Sequence, residues 1–129
     1  MEITIKKQIS RETLENIFVT AIEGGSNYWY YIPNSEIDKV LESTDVRSSL
    51  SERLFEAVYD KGVDIDFYDA EEPDEKLGTL SKSTIQERLQ RMLDVGNGWA
   101  LDNEIEENGD AESSDVVFQY LVMGDIVFG

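Results

Sequence analysis

The stretch EGGSNYWYY, residues 23–31, separates a helical pattern from a strand pattern in the first quarter of the chain. Upstream of it, apolar residues recur at helical spacing after Ser10, a favourable N-cap, and the two glycines end the helix. Downstream, the aromatic run reaches Ile32 and stops at the turn pair Pro33-Asn34. Residues rich in aromatic strand formers predict a second strand over 27–32.

Side chains alternate between the two faces of a strand, so four consecutive aromatic residues cannot all face the core. At least Tyr28 and Tyr30, or Trp29 and Tyr31, are expected on the other face. Exposed aromatic side chains of this kind stack on bases or anchor a protein interface. The alternative is a strand that is packed on both faces, with no binding role.

Further strands and helices follow from the same patterns. Residues 1–7 alternate as a first strand, and Val63, Ile65 and Phe67 mark a strand with one wet face, for which residues 77–80 are a hairpin partner. Helices are expected around 37–41, from Val46 to Gly62, and from a capping box of Ser83 with Gln86 to Gly96. The apolar run from residue 116 predicts a buried C-terminal helix that ends near Gly124, and the tail over 126–128 is expected to add a strand or to pack as a plug.

The prediction for the whole chain is one α+β domain, residues 1–129, with a small, mostly antiparallel sheet and about four or five helices. Two acidic loops are expected, near 69–76 and over 102–114. No apolar run approaches the ~18 residues of a membrane span, and the first seven residues lack the apolar core of a signal peptide. We therefore expect a cytoplasmic protein without a membrane partner.

The strongly negative net charge indicates which kinds of molecule the protein can bind. The chain has 28 Asp and Glu against 11 Lys and Arg and no His, a formal net charge of −17 on 129 residues. Such a surface repels nucleic acid and anionic lipid and attracts basic groups. At one charge per ~1.7 Å of duplex, this excess corresponds to roughly 29 Å of DNA, comparable with the width of a domain of this size.

The amino-acid composition also limits which catalytic and metal-binding groups the protein can have. Cysteine and histidine are both absent, which excludes disulfides, thiolate nucleophiles, His-based triads and His-ligated metals. Only carboxylates, Tyr, Lys or a hard metal ion remain for catalysis, and no acid–base pair is singled out. We therefore expect a protein that is not an enzyme and has no cofactor.

The acid is clustered in two tracts that hold about half of it. One tract comprises Asp60, Asp64, Asp66, Asp69, Glu71, Glu72, Asp74 and Glu75, and the other comprises Asp102, Glu104, Glu106, Glu107, Asp110, Glu112 and Asp115. A basic protein partner and two solvated loops are both compatible with this pattern. A calcium site at Asp64, Asp66 and Asp69 is disfavoured because the EF-hand spacing and its glycine are missing, so no metal is expected.

Two segments carry a resemblance. VTAIEGGSNYWYYI over 19–32 and DAESSDVVFQYLVMGDIVFG over 110–129 resemble the two ends of a family of small proteins encoded by phages and prophages, with the match at 19–29 and 110–129. The resemblance implies a viral origin. By analogy with small acidic phage proteins, it suggests an inhibitor of host defence of the anti-CRISPR kind.

The leading hypothesis is a protein that occupies the basic nucleic-acid groove of a host defence protein, such as a Cas effector, without contacting nucleic acid itself. In it, an aromatic anchor is formed by Tyr28, Trp29 and Tyr30. Phosphates are replaced by Asp64, Asp66, Asp69, Glu71, Glu72, Asp74 and Glu75. The alternative is a small-molecule binder that sequesters a defence nucleotide, with Trp29 or Tyr30 on a base and Arg88 or Arg91 on phosphate.

Overall fold

A computed structural model describes residues 7–129 of the chain, so the predicted first strand lies outside the described residues except for Lys7. The described part is an α+β domain with a three-stranded antiparallel sheet, as predicted, and with six α-helices instead of four or five. The strands are β1 (Tyr30–Tyr31), β2 (Ile65–Asp69) and β3 (Lys76–Leu80). The helices are α1 (Arg11–Thr20), α2 (Asn34–Ser43), α3 (Leu50–Phe55), α4 (Lys82–Asp94), α5 (Gly98–Ile105) and α6 (Ala111–Met123).

The sheet has the order β1-β2-β3. The predicted hairpin is confirmed: Ile65 pairs with Leu80, and Phe67 pairs with Gly78 before a bulge at Phe67/Tyr68. Ile65 and Phe67 are fully buried, because alternation turns these apolar side chains to the core and leaves the intervening residues half-exposed.

Helix α6 lies at the centre of the domain and is in contact with α1, α4, α5 and β3. Its residues from Ser113 to Val122 are buried, except for Val116, which confirms the buried C-terminal helix. Strand β3 reaches this helix through Gly78, where a Cβ atom would lie 2.1 Å from the carbonyl oxygen of Val122. Glycine is therefore required at residue 78 by close backbone approach.

Helix α1 begins as predicted, because the Ser10 hydroxyl accepts a hydrogen bond from the Thr13 amide (3.1 Å). It continues through a π-helical turn, Ala21–Gly25, that includes both glycines. Helix α3 is also extended by a π-helical turn, Glu56–Asp60. The expected start at Val46 is wrong, since the helix begins at Leu50 with Ser49 as its N-cap and leaves Val46 80% exposed.

The capping box predicted for α4 is also wrong. The N-cap residue is Ser81, two residues before the predicted N-cap Ser83, and the helix begins at Lys82. The hydroxyl oxygens of Ser81 and Ser83 lie 2.9 Å apart and bond to each other. A capping box does form at α6, where Asp110 accepts from the Ser113 amide and the Ser113 hydroxyl accepts from the Asp110 amide.

The prediction of an acidic loop over 102–114 is wrong, because this capping box starts α6 inside that range. Helix α5 extends to Ile105 and α6 begins at Ala111, so that only residues 106–110 lie between helices. The buried Glu104 carboxylate accepts hydrogen bonds from the hydroxyls of Ser113 and Ser114, both at 2.7 Å, which joins the two helices. Of the other segment expected as a loop, 69–76, residues 70–75 connect β2 to β3.

The C-terminal tail packs as a plug and forms no strand. Phe128 stacks on Trp29, with ring centroids 5.7 Å apart and ring planes 8° apart. The Gln119 side chain holds the tail, because its oxygen accepts from the amides of Val127 and Phe128 and its nitrogen donates to the Phe128 carbonyl. Within residues 7–129, no helix has the length and apolar character that a membrane crossing requires.

Candidate interaction surface

The turn between β2 and β3, residues 69–75, is here called the acidic hairpin loop. Its backbone is ordered by hydrogen bonds: one Asp69 carboxylate oxygen accepts from the amides of Glu71 (2.7 Å) and Glu72 (3.2 Å). The Asp69 amide also donates to the Glu75 carbonyl, and the Glu75 amide donates to the Glu72 carbonyl. The remaining carboxylates are exposed, at Glu71, Glu72, Asp74 and Glu75. A hydrogen-bonded turn thus presents four carboxylates to solvent.

No basic side chain neutralises these four carboxylates within the described part of the chain. Six carboxylates there form ion pairs, and none of them lies in residues 70–75. The paired carboxylates belong to Glu15, Glu36, Asp45, Asp60, Asp66 and Asp102. The acidic hairpin loop therefore keeps its negative potential.

The acids of the same tract that precede the loop lie closer to basic side chains. Asp66 accepts from the Thr79 hydroxyl (2.7 Å) and pairs with the Lys76 ammonium (3.2 Å). Burial acts to raise the pKa of Asp66, but the Thr79 hydrogen bond and the Lys76 charge outweigh it, and the net shift is downward. Asp64 and Asp66 also share the field of Lys39. Both acids were predicted to mimic phosphate: Asp66 is compensated by Lys76, whereas Asp64 is exposed and forms no ion pair with residues 7–129.

The aromatic segment is divided differently from the prediction. Strand β1 contains only Tyr30 and Tyr31, and Trp29 lies in the preceding turn, where its amide donates to the Ser26 carbonyl (3.2 Å). As a result, neither expected alternate pair is exposed: Tyr28 (52%) and Tyr31 (42%) reach solvent, Tyr30 is half-buried and Trp29 is 2% exposed. Trp29 is a core residue and cannot serve as a surface anchor.

Trp29 belongs to a buried polar group, here called the Asp115 cluster. One Asp115 oxygen accepts from the Ser26 hydroxyl (2.7 Å) and the Trp29 indole (2.8 Å). The other accepts from the Tyr28 hydroxyl (2.6 Å) and the Gln119 amide (3.2 Å). Desolvation and the Asp115 hydrogen bond raise the pKa of Tyr28 to about 12. Four donors thus stabilise a carboxylate that is only 9% exposed.

The segment 25–29 connects the acidic hairpin loop to the start of α6. At one end, a Cβ on Gly25 would lie 3.0 Å from the Ala111 carbonyl oxygen. At the other end, the Trp29 carbonyl accepts from the Ala70 amide (2.9 Å). Four residues span at most ~14 Å, so the two ends of the segment lie no farther apart than this.

A second group of exposed carboxylates, here called the acidic junction, stands at the α6 end of this segment. It consists of Glu106, Glu107, Asp110 and Glu112. None of these four forms an ion pair with residues 7–129. Tyr28 belongs to the segment that joins the acidic junction to the acidic hairpin loop, and its side chain is exposed.

The residues of the alternative hypothesis are engaged elsewhere. Arg91 donates to the Gly124 carbonyl (2.8 Å) and Arg88 contacts the Tyr120 carbonyl (3.5 Å), so both face the C-terminal end of α6, where cations are favourable. Phe128 covers a face of the Trp29 ring, and Tyr30 packs edge-on against Phe67. In residues 7–129, no group of three or more acids has the geometry of a metal site.

The sequence matches no family model, and no curated protein and no solved structure is significantly similar to it. The resemblance to phage-encoded proteins stays a prediction. The functional argument therefore depends on the geometry and charge of this chain alone.

Proposed function

We propose that this protein inhibits a host defence protein by occupying its basic nucleic-acid groove, as an anti-CRISPR protein of the mimic type does. The acidic hairpin loop and the acidic junction form the binding surface. The observation that carries the proposal is that both groups are exposed and lack cationic partners in residues 7–129, while one short segment joins them.

The charge density of this surface supports the proposal. Eight exposed carboxylates lie in the two groups. Roughly 14 Å of duplex carries eight negative charges, so the two groups together hold the charge of a short piece of the duplex that a DNA-binding groove is built to receive. A groove lined with Lys and Arg would gain the same charge-assisted hydrogen bonds from carboxylates as from phosphates.

The aromatic residues have separate roles in the proposed complex. Tyr28 and Tyr31 are exposed and supply apolar contact area beside the carboxylates. Trp29 is buried and fixes the position of this segment. Its indole donates a hydrogen bond to Asp115, and its carbonyl accepts one from the amide of Ala70 in the acidic hairpin loop.

A competition assay tests the proposal. A panel of purified nucleic-acid-binding defence enzymes, Cas effectors included, is titrated with this protein in the presence of labelled duplex DNA or guide RNA. We expect at least one enzyme to lose nucleic-acid binding, with an affinity that falls steeply between ~50 and ~200 mM salt.

A pair of variants with equal charge change provides the control. The loop variant carries Glu71→Gln, Glu72→Gln, Asp74→Asn and Glu75→Gln. The control variant carries Asp38→Asn, Glu42→Gln, Glu87→Gln and Asp94→Asn on exposed positions of α2 and α4. The loop variant should lose at least tenfold in inhibition and the control less than threefold. Equal losses would assign the effect to net charge alone, and a panel without any displaced nucleic acid would refute the proposal.

A further inference from the structure

An apolar groove lies between α1, α4 and α5, and none of its lining residues belongs to the acidic hairpin loop or to the acidic junction. Its volume is about 370 Å³, which falls at the small end of the range for small-ligand sites. The apolar lining is formed by Leu14, Ile85, Leu89, Leu93, Leu101 and Ile105, with Ile9 and Tyr59 at its edge. Side chains from three helices thus line an aliphatic groove that residues 7–129 leave open to solvent.

The charge of this groove is opposite to that of the rest of the molecule. Twelve described residues line it, none of them is acidic, and two are lysines, Lys7 and Lys82. In a chain with 28 acids among 129 residues, this absence marks a local exception. Gln86 and Gln90 complete the polar rim.

The two lysines differ in availability. Lys7 forms an ion pair with Asp102. The Lys82 ammonium lies 4.6 Å from the centroid of the Tyr59 ring, and no carboxylate of residues 7–129 pairs with it. The cation–π contact fixes this ammonium at the groove rim and leaves its hydrogen-bond donors for an anion.

We propose that the groove binds a single-chain amphiphile with an anionic head group, of which a medium-chain carboxylate is the simplest form. The alkyl chain contacts the leucine and isoleucine side chains, and the carboxylate accepts from the Lys82 ammonium and from the rim glutamines. This site is independent of the acidic surface and of the function proposed for it.

Head-group charge provides the decisive test, because a protein at −17 attracts cations and repels anions overall. Decanoate, decanol and decylamine share one chain and differ in charge at neutral pH. Each is titrated into the full-length protein below its micelle concentration, by calorimetry and by methyl NMR of Ile85, Leu89 and Ile105. We expect decanoate to bind at least tenfold more tightly than decylamine and to shift these methyl signals.

Two variants with the same charge change locate the head group. Lys82→Glu should weaken decanoate binding at least tenfold, whereas Arg47→Glu, at an exposed position outside the groove, should change it less than twofold. Tighter binding of decylamine, equal losses in both variants, or no decanoate binding would overturn the proposal. Binding only after residues 1–6 are removed would identify the chain's own N-terminal segment as the occupant, which would also overturn it.

Discussion

The acidic hairpin loop and the Asp115 cluster use the same chemical group in opposite ways. In the loop, four exposed carboxylates have no basic partner in residues 7–129, and the backbone hydrogen bonds hold the turn without them. In the cluster, one buried carboxylate accepts three hydrogen bonds from the distant segment 26–29 and one from Gln119 on its own helix. The acidic residues therefore divide into those that hold the fold and those that are available to a partner.

This difference matters for the proposed function, because net charge alone would count both kinds of residue equally. Glu104, Asp66 and Asp115 contribute to the −17 but are committed to internal hydrogen bonds or ion pairs. Substitutions in the Asp115 cluster should therefore lower the free energy of unfolding, and substitutions in the acidic hairpin loop should weaken binding to a partner.

The largest effect is expected from Asp115→Ala. This substitution leaves the Ser26 hydroxyl and the Trp29 indole buried without an acceptor, and hydrogen bonds to charged groups contribute about 1.5–3 kcal/mol each. We expect the free energy of unfolding to fall by about 3–5 kcal/mol in urea titration. Asp74→Ala in the loop is the control, and a loss below about 1 kcal/mol for Asp115→Ala would contradict the role assigned to the cluster.

Trp29→Phe should have the next largest effect. The substitution removes the indole donor to Asp115 and part of the stacking surface of Phe128, while it keeps an aromatic ring in the core. We expect a loss of about 2–3 kcal/mol in the free energy of unfolding. Tyr31→Phe, which changes an exposed ring, should lose less than about 0.5 kcal/mol, and equal losses would mean that Trp29 is not a core residue.

A smaller, pH-dependent effect is expected from Tyr28→Phe. The pKa of Tyr28 is raised from 10.0 to about 12 in the folded protein, so its contribution to stability is complete below pH 10 and is lost as the pH rises towards 12. The pKa of Tyr30 is raised to about 12 by burial alone, which adds to the same alkaline loss.

Urea titrations at pH 9 and pH 11 measure this effect. The wild type should lose stability between the two values, and Tyr28→Phe should lose less over the same interval. At pH 9 the variant should be less stable by about 1 kcal/mol, which is below the range for a buried hydrogen bond to a charged group because the Tyr28 side chain is half-exposed. An identical alkaline loss in both proteins would mean that the Tyr28–Asp115 bond does not contribute.

The smallest effect on stability is expected from the fourfold loop variant defined above. Its carboxylates make no ion pair in residues 7–129, and removing four negative charges relieves self-repulsion. The free energy of unfolding should stay within about 0.5 kcal/mol of the wild type or rise slightly. A large destabilisation would show that the loop acids hold the fold as Asp115 does.

Local patterns predicted the elements whose signals lie within a few residues. The alternation at Val63, Ile65 and Phe67 specified the hairpin, and Ser10 specified the start of α1. The joint exposure of Tyr28 and Tyr31, one from each predicted pair, was missed because β1 has only two residues, so the alternation rule did not apply to the turn before it.

The Asp115 cluster was missed for a different reason. Its hydrogen bonds from Ser26 and Trp29 join residues 89 and 86 positions apart, and no local pattern marks such a partner. In the sequence, Asp115 is one more acid at the end of an acidic tract. The apolar groove was missed likewise, because its leucines and isoleucines have the same helical spacing as core residues.

The most direct test of the central claim is an NMR titration of the ¹⁵N-labelled protein with an arginine-rich peptide, followed through the backbone amides. The account predicts that shift changes concentrate in residues 69–75 and 106–112 and at Tyr28 and Tyr31, and that they weaken with salt. Changes spread equally over the exposed acids of α2 and α4 would contradict it.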